Sequence, residues 1–313
     1  MLYAAGMFVA MLIEAVFGWP DSLYDRMGHP VTWIGALIDA CDRRFNRENE
    51  PDWLRRTFGV AVMLGICLLV WMVMVLVTWA LPGGWMGLLL TGLIGWPMVA
   101  TRSLYDHVRR VALPLARGDL AAARDAVSMI VGRDPARLDG PGVARAALES
   151  LAESASDGVV APLFWGVLLG LPGISVYKAI NTMDSMIGHL SPRHTAFGWA
   201  AARVDDLVNM VPARLTGLMF AAVSGQWAAS VACMRRDAHK HRSPNAGWPE
   251  AAMAGALGVR LSGPRVYDGQ LSAEAWVNEA GTDHTALDLG RGLDLYIKAM
   301  TVLALVMLIL AVV

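Results

Sequence analysis

Charged residues are scarce in this chain. They make up 17% of its 313 residues, and 26 basic against 27 acidic side chains leave a formal charge of −1. No global basic field exists to draw in nucleic acid, which excludes nucleic-acid binding as the expected role. Cysteine is scarcer still. Cys41, Cys67 and Cys233 are odd in number and never stand at C-x-x-C spacing, which argues against a disulfide framework or a thiolate zinc site. A bound metal is therefore expected on oxygen. The chain also lacks G-x-x-x-x-G-K-[ST], a strand-linked G-x-G-x-x-G and H-E-x-x-H, so the standard nucleotide and zinc motifs are missing.

Apolar residues fill the space that charge leaves. They reach 56% of the chain, and the mean hydropathy of +0.45 exceeds what water-soluble chains carry. The expected class is an all-α polytopic integral membrane protein, since no alternating strand runs occur. Four segments are expected to span: 1–19, 58–81, 82–101 and 295–313. The first lacks a basic n-region and an A-x-A pattern and carries Glu14, so it reads as a retained helix and not a removable signal. Two further stretches, 158–177 and 207–234, are apolar but interrupted. Pro162 and Pro172 break the first, and Asn209, Arg214 and Gln226 enter the second, so both are expected to bend, re-enter or line a cavity.

Arg43, Arg44, Arg47, Arg55 and Arg56 crowd the connection after the first span and place it in the cytoplasm by the positive-inside rule. Segment 102–157 returns to that side and is expected to be helical, with helix starts at Gly118-Asp119 and Asp139-Gly140-Pro141. Segment 235–294 is expected to be cytoplasmic as well.

Polar clusters recur along this frame. Glu149, Glu153 and Asp157 are spaced i, i+4, i+8 and stack three carboxylates on one helix face, either as a solvated face or as a magnesium site. Lys178, Asn181 and Asp184 share about a third of a helix circumference. Lysine occurs otherwise only at 240 and 298, so Lys178 beside carboxylates suits either phosphate binding or an ordinary ion pair. Arg203, Asp205 and Asp206 precede Asn209 and Arg214 at the edge of an apolar stretch, where an internal ion pair and a ligand site are both open readings. Arg235 to Asn245 and on to Glu250 is basic enough for lipid headgroups or phosphates. His239 and His241 lack a third ligand nearby, and His29-Pro30 reads as a structural turn.

Longer residue strings say more. Glu149-Ser150-Leu151-Ala152-Glu153 through Asp157 to Phe164, followed by Tyr177 to Met186, closely resembles the adenosylcobinamide-phosphate synthase family of cobalamin biosynthesis (CbiB/CobD). The likeness continues in family order through His29-Pro30-Val31, Ile130 to Asp134, Ala202-Arg203 with Asp205-Asp206, Pro212 to Leu215, Ser243-Pro244-Asn245 and Pro249 to Gly258. It covers roughly 14–269. Trp19, Ser154, Ala201 and Ser262 depart from the family's usual Asp, Asn, Ser and Gly.

The resemblance implies an ATP- and Mg²⁺-dependent ligase that joins a carboxylate of adenosylcobyric acid to (R)-1-amino-2-propanol or its O-phosphate. Glu149, Glu153 and Asp157 are then expected to hold Mg²⁺, and Lys178, Arg203 and Arg214 to hold phosphate or carboxylate oxygens. Asp184 or Asp205 would accept the proton of the amine, with Asn181, Asp206 and Asn245 orienting it and Glu250 in the cofactor-binding set. The expected setting is the bacterial cytoplasmic membrane, with the active site open to the cytoplasm. A cytosolic enzyme supplying the amine would be a further partner beside the lipid bilayer. A transporter, or a regulator or scaffold without catalysis, is the alternative class.

Overall fold

The computed structural model of the protein describes residues 2–131, 136, 138–189, 191–267, 270–272 and 274–312. Part of the Ile130 to Asp134 string therefore lies outside the described residues. Four helical runs are long and apolar enough to cross a membrane: Asp52–Ala80, Gly84–Ala116, Gly140–Ile187 and Ala286–Val312. The protein is an all-α polytopic membrane protein. Its helices are α1 (Leu2–Phe17), α2 (Asp21–Met27), α3 (Pro30–Phe45), α4 (Asp52–Ala80), α5 (Gly84–Gly95), α6 (Thr101–Ala116), α7 (Leu120–Ser128), α8 (Gly140–Ala155), α9 (Ala161–Ile187), α10 (Trp199–Val208), α11 (Met210–Val223), α12 (Trp227–Asp237), α13 (Gly247–Leu257) and α14 (Ala286–Val312). Two short antiparallel ladders pair β1 (Leu261–Ser262) with β4 (Trp276–Val277) and β2 (Arg265–Tyr267) with β3 (Gln270–Ser272).

The spanning set differs from the four segments expected. α1 has 16 residues, about 24 Å of helix at 1.5 Å per residue, short of a hydrocarbon core of about 30 Å. Gly18, at φ 58, ends it. In its place stands Gly140–Ile187. There the expected break is real but local: a π-turn at Ser156–Val160 absorbs the approach to Pro162, and the kink falls at Gly170, whose φ of 69 no helix contains. The segment expected at 207–234 is three pieces. Asn209 separates α10 from α11, and Ser224, Gly225 (φ 70) and Gln226 separate α11 from α12.

The chain divides into two compact units: Met1–Ala100, Ala161–Asn209 and Val306–Val313 in the first, and Thr101–Val160 with Met210–Leu305 in the second. In the first, α9 is the central rod, packed by α1, α3, α4 and α10. Close approach depends on glycine at Gly59, where any Cβ would collide with the Phe197 carbonyl. Ile38, Met63, Ile66, Ile180, Met183 and Phe197 form the apolar contact that fixes α9 against α3, α4 and α10. Beyond that contact α9 and α10 carry polar side chains, whereas α4 presents apolar ones.

In the second unit, both expected N-caps form. Asp119 accepts from Ala122 N–H at 3.0 Å and Asp139 from Gly142 N–H at 2.8 Å. Val143, Ala147, Leu148 and Leu151 are fully buried on α8. So is nearly all of α13, a helix rich in Ala and Gly inside the segment 235–294. Its small side chains let α8, α11 and α12 close around it. All three cysteines are free thiols.

Candidate functional site

Six of the candidate residues lie on α9 and α10 in the first unit, and Asn181, Asp184 and Asp206 stand close to Asp205. Its helix, α10, lies beside α9, and the carboxylate is buried. Asn181 Nδ2 donates to its Oδ1 at 3.4 Å, and Asn209 Nδ2 donates to its Oδ2 at 3.0 Å. Tyr177 Oη in turn donates to Asn209 Oδ1 at 2.9 Å. A buried carboxylate needs such donors to stay in place. Tyr177 and Asn209 received no role from the sequence, although both lie in or beside the family strings.

Asp184 stands half-buried one turn beyond Asn181. Its carboxylate lies over Gly188, where a Cβ would strike it. Asp206 is half-buried and pairs with exposed Arg203 at 3.7 Å. Lys178, also half-buried, is on α9 with Asn181 and Asp184. The unit thus brings together Asn181, Asp184, Asp205 and Asp206, with Arg203 on Asp206 and Lys178 on the same helix as Asn181 and Asp184, beside His29. Three carboxylates with a lysine and an arginine form a group able to accept a proton and to hold anionic oxygens.

His29 joins this neighbourhood. It is the N-cap of α3, its Nδ1 accepting from Val31 N–H at 3.2 Å, with Pro30 at the first helical position. The Trp19 ring meets it edge-on at 4.7 Å. Burial, and secondarily the Lys178 ammonium, push its pKa down to about 4, so the ring is neutral at pH 7. An unfolded histidine takes up its proton near pH 6.5. The unfolded state therefore binds more protons between those values, and stability should fall as pH drops from about 6.5 toward about 4. In His29→Gln the melting temperature should vary less with pH over that interval; equal slopes in thermal unfolding would remove His29 from the account.

Behind the cluster, the loop after α9 is tied to the α3–α4 connection. Arg193 donates to Asp42 Oδ2 at 2.6 Å and to Glu48 Oε1 at 3.1 Å, and Asn46 donates to Asp42 Oδ1 at 2.7 Å. Arg55 reaches Asn46 Oδ1 at 2.9 Å and also donates to the Arg193 carbonyl. Burial works against the Asp42 charge, yet the hydrogen bonds from Arg193 and Asn46 hold its carboxyl below the usual range.

The remaining candidates are in the second unit. Glu149 is buried, and its Oε1 accepts from Ser262 N–H at 2.7 Å. Ser262 has φ 59, the left-handed region that favours glycine, so its backbone amide is aimed at Glu149 at some cost. Glu153 is exposed and Asp157 sits half-buried in the π-turn. The row is therefore not a uniform solvated face opposite an apolar stripe: α8 is buried on nearly all sides, Glu149 included. Among the described residues, no three His, Cys, Asp or Glu side chains come together as a metal-binding group. The oxygen donors suit Mg²⁺, but they are not a preformed three-carboxylate cage.

Arg214 donates to Asn245 Oδ1 at 3.3 Å and to the Met210 carbonyl at 2.7 Å, with its guanidinium 4.5 Å from the centre of the Trp248 ring. Asn245 is buried, its backbone N–H held by Ser243 Oγ at 3.2 Å. Glu250 is buried with its Oε1 3.5 Å from His241 Nε2. His241 Nδ1 lies 3.0 Å from Ser243 N and 3.3 Å from the Ser243 carbonyl oxygen, which fixes the ring with Nε2 toward Glu250. Stacking and hydrogen bonding thus preset the Arg214 fork, and Asn245 and Glu250 stand on the same helical turn and connection.

Comparison with known proteins agrees with the residue strings. The family model described as CobD/Cbib protein matches residues 7–296. A protein named cobalamin biosynthesis protein CobD from Rhodobacter capsulatus is 58% identical over 312 residues, covering 100% of this chain and 98% of the relative. Proteins of the same name from a Sinorhizobium species and from Brucella suis are 47% and 43% identical, covering 95% and 94% of this chain and 94% and 93% of the relatives. No solved structure matches. With a family model over most of its length and relatives of such identity, the chain belongs to the CobD/CbiB family.

Proposed function

We propose that this protein works in cobalamin biosynthesis as a membrane-embedded, ATP-dependent amide ligase. It joins a carboxylate of adenosylcobyric acid to (R)-1-amino-2-propanol or its O-phosphate. The observation that carries this reading is the gathering of Lys178, Asn181, Asp184, Arg203, Asp205 and Asp206 on α9 and α10, in a chain of this family.

A carboxylate in water does not condense with an amine unless it is activated. Transfer of the terminal phosphoryl group of ATP to a carboxylate oxygen gives an acyl phosphate and ADP. The amine nitrogen then forms a bond to the acyl carbon, the carbon–oxygen bond to phosphate breaks, and a proton leaves nitrogen. Each step places negative charge on oxygens that need fixed cations. Lys178 and Arg203 supply that charge in the first unit, and the second unit has a preset arginine fork of its own at Arg214. Asp184 accepts the amine proton. Asp205, held by Asn181 and Asn209, orients the ammonium before its proton is lost, with Asp206 beside it; Asn245 and Glu250 fix the polar surroundings of Arg214.

Mg²⁺ would arrive with the nucleotide phosphates, an arrangement that needs only one or two protein carboxylates. Glu153 and Asp157 would hold it, and bound there it would offset phosphate charge. Because ATP is cytoplasmic, the site is expected to open to the cytoplasmic side of a bacterial inner membrane. An enzyme of the cytosol delivering the amine fits that orientation.

The test is direct. Protein purified in detergent is given adenosylcobyric acid, each amine in turn, ATP and Mg²⁺, and the mixture is read by mass spectrometry. Amide and ADP formed together, and only with ATP and Mg²⁺ present, are the expected result. Folded protein that binds the corrinoid but forms no amide with either amine would overturn the ligase reading.

A further inference from the structure

Within the first unit, α3 and α4 lean together at one end and part along the other, leaving a groove of about 440 Å³. Leu37, Cys41 and Phe45 line it from α3, and Phe58, Gly65 and Leu69 from α4. None of these belongs to the polar clusters described above. α4 is also a helix apolar enough to span, so the groove runs along a surface that lipid can reach.

Gly65 is the informative position. A glycine in the middle of a long helix is unfavourable unless it admits a neighbour. Gly59, six residues earlier, does so by letting the Phe197 carbonyl approach, whereas a Cβ on Gly65 would meet nothing within 4 Å. What the missing side chain creates at Gly65 is empty space on the groove floor.

The closed end of the groove has a different chemistry. Phe45 and Phe58 meet there with ring centroids 6.0 Å apart, and the 46–51 connection follows. The acidic groups of that region are mostly engaged: Asp39 by Arg43, Asp42 and Glu48 by Arg193, and Asp52 by Arg55 at 3.5 Å. Arg44, Arg47 and Arg56 are exposed. Trp53 and Trp199 are exposed on the same unit, with the Arg56 guanidinium 5.2 Å from the centre of the Trp199 ring. Indoles and arginines grouped at the end of a spanning helix mark headgroup depth. Below that depth is an apolar groove, and at it stand cations.

We propose that this groove binds one acyl chain of an anionic phospholipid, with the headgroup phosphate on Arg44 and Arg47. Charge complementarity selects a phospholipid over a second copy of the chain, whose apolar helix would leave those arginines unanswered. The bound lipid fills the space at Gly65 and bridges α3 to α4.

The experiment uses the full chain in mild detergent, with native mass spectrometry and thermal unfolding as readouts, and phosphatidylglycerol or phosphatidylcholine of identical chains as probes. Phosphatidylglycerol should be retained and should raise the melting temperature more than phosphatidylcholine does. Gly65→Phe, which has room for its ring, should lower retention about tenfold while the lipid-free melting temperature stays put. The combined variant Arg44→Gln and Arg47→Gln should erase the preference between the two lipids, a readout independent of whether Gly65→Phe folds. Unchanged retention in Gly65→Phe, equal retention of both lipids by the parent, or protection by inorganic phosphate alone would each overturn the proposal. So would a dimer that Gly65→Phe converts to monomer.

Discussion

Asp184→Asn is expected to lower amide formation by about 10²- to 10⁴-fold, the range that loss of a positioned proton acceptor commonly costs. The substitution keeps the shape of the side chain over Gly188 and removes only its capacity to take a proton, so corrinoid binding and the melting temperature should change little. Asp205 is the poorer choice for this purpose. Both of its oxygens accept from amide nitrogens of Asn181 and Asn209, and an asparagine there would turn an NH₂ group toward one of those donors. Steady-state amide production by mass spectrometry, beside thermal unfolding of the same sample, separates lost chemistry from lost fold. A fully active Asp184→Asn protein would move the proton acceptor elsewhere in the cluster.

The largest effect on stability is expected in the second unit, at Asp237. This carboxylate is wholly buried. It accepts from Arg236 Nη2 at 2.7 Å and Asn278 N–H at 2.8 Å, and Lys240 Nζ stands 2.8 Å from its Oδ1. It thereby joins the end of α12 to the turn after β4, where Asn278 holds φ 54. Burial opposes its charge, but the hydrogen bonds from Arg236, Lys240 and the Asn278 amide hold its carboxyl far below the usual range. Removing one member of a buried pair typically costs about 3–5 kcal/mol. Arg236 and Lys240 are partly exposed and can return to water, so Asp237→Ala should cost about 2–3 kcal/mol, most of it at the stranded Asn278 amide. The sign with pH follows from the depressed carboxyl: its stabilisation is present above pH about 4 and is lost only in stronger acid. The deficit of the variant in chemical unfolding should therefore be constant near neutrality and narrow in acid. A deficit below 0.5 kcal/mol, the range of about ±0.5 kcal/mol for ordinary surface changes, would show that the contacts contribute little.

Local features of this fold were legible in the chain. Asp119 and Asp139 read as helix starts because capping is a matter of one side chain and an amide three residues on. The long uncharged run within α4 read as a span for the same kind of reason, and Pro172 announced a break near where Gly170 makes it. Helical spacing also put Lys178, Asn181 and Asp184 within one stretch of helix, and all three are half-buried on α9. Contacts between distant segments were not legible. Nothing in the vicinity of Asp42 points to Arg193, 151 positions away, and Ser262 gives no sign that its amide meets Glu149, 113 positions earlier. The i, i+4, i+8 row suggested one carboxylate face, but periodicity cannot say what tertiary packing lays against that face. The burial of α13 was not legible on the same ground: alanine and glycine read as neutral in sequence, yet they are what tight helix packing requires.

The kink at Gly170 makes α9 two levers with a common pivot. Pro172 lacks the amide hydrogen that would otherwise join the turns on either side, so the arm at 161–169 and the arm carrying Lys178, Asn181 and Asp184 share no unbroken ladder of backbone hydrogen bonds. The arm beyond the break is held by Ile180 and Met183 in the buried apolar contact with its neighbours. Lys178, Asn181 and Asp184 therefore take their direction from that packing, and not from the axis of the helix before the kink.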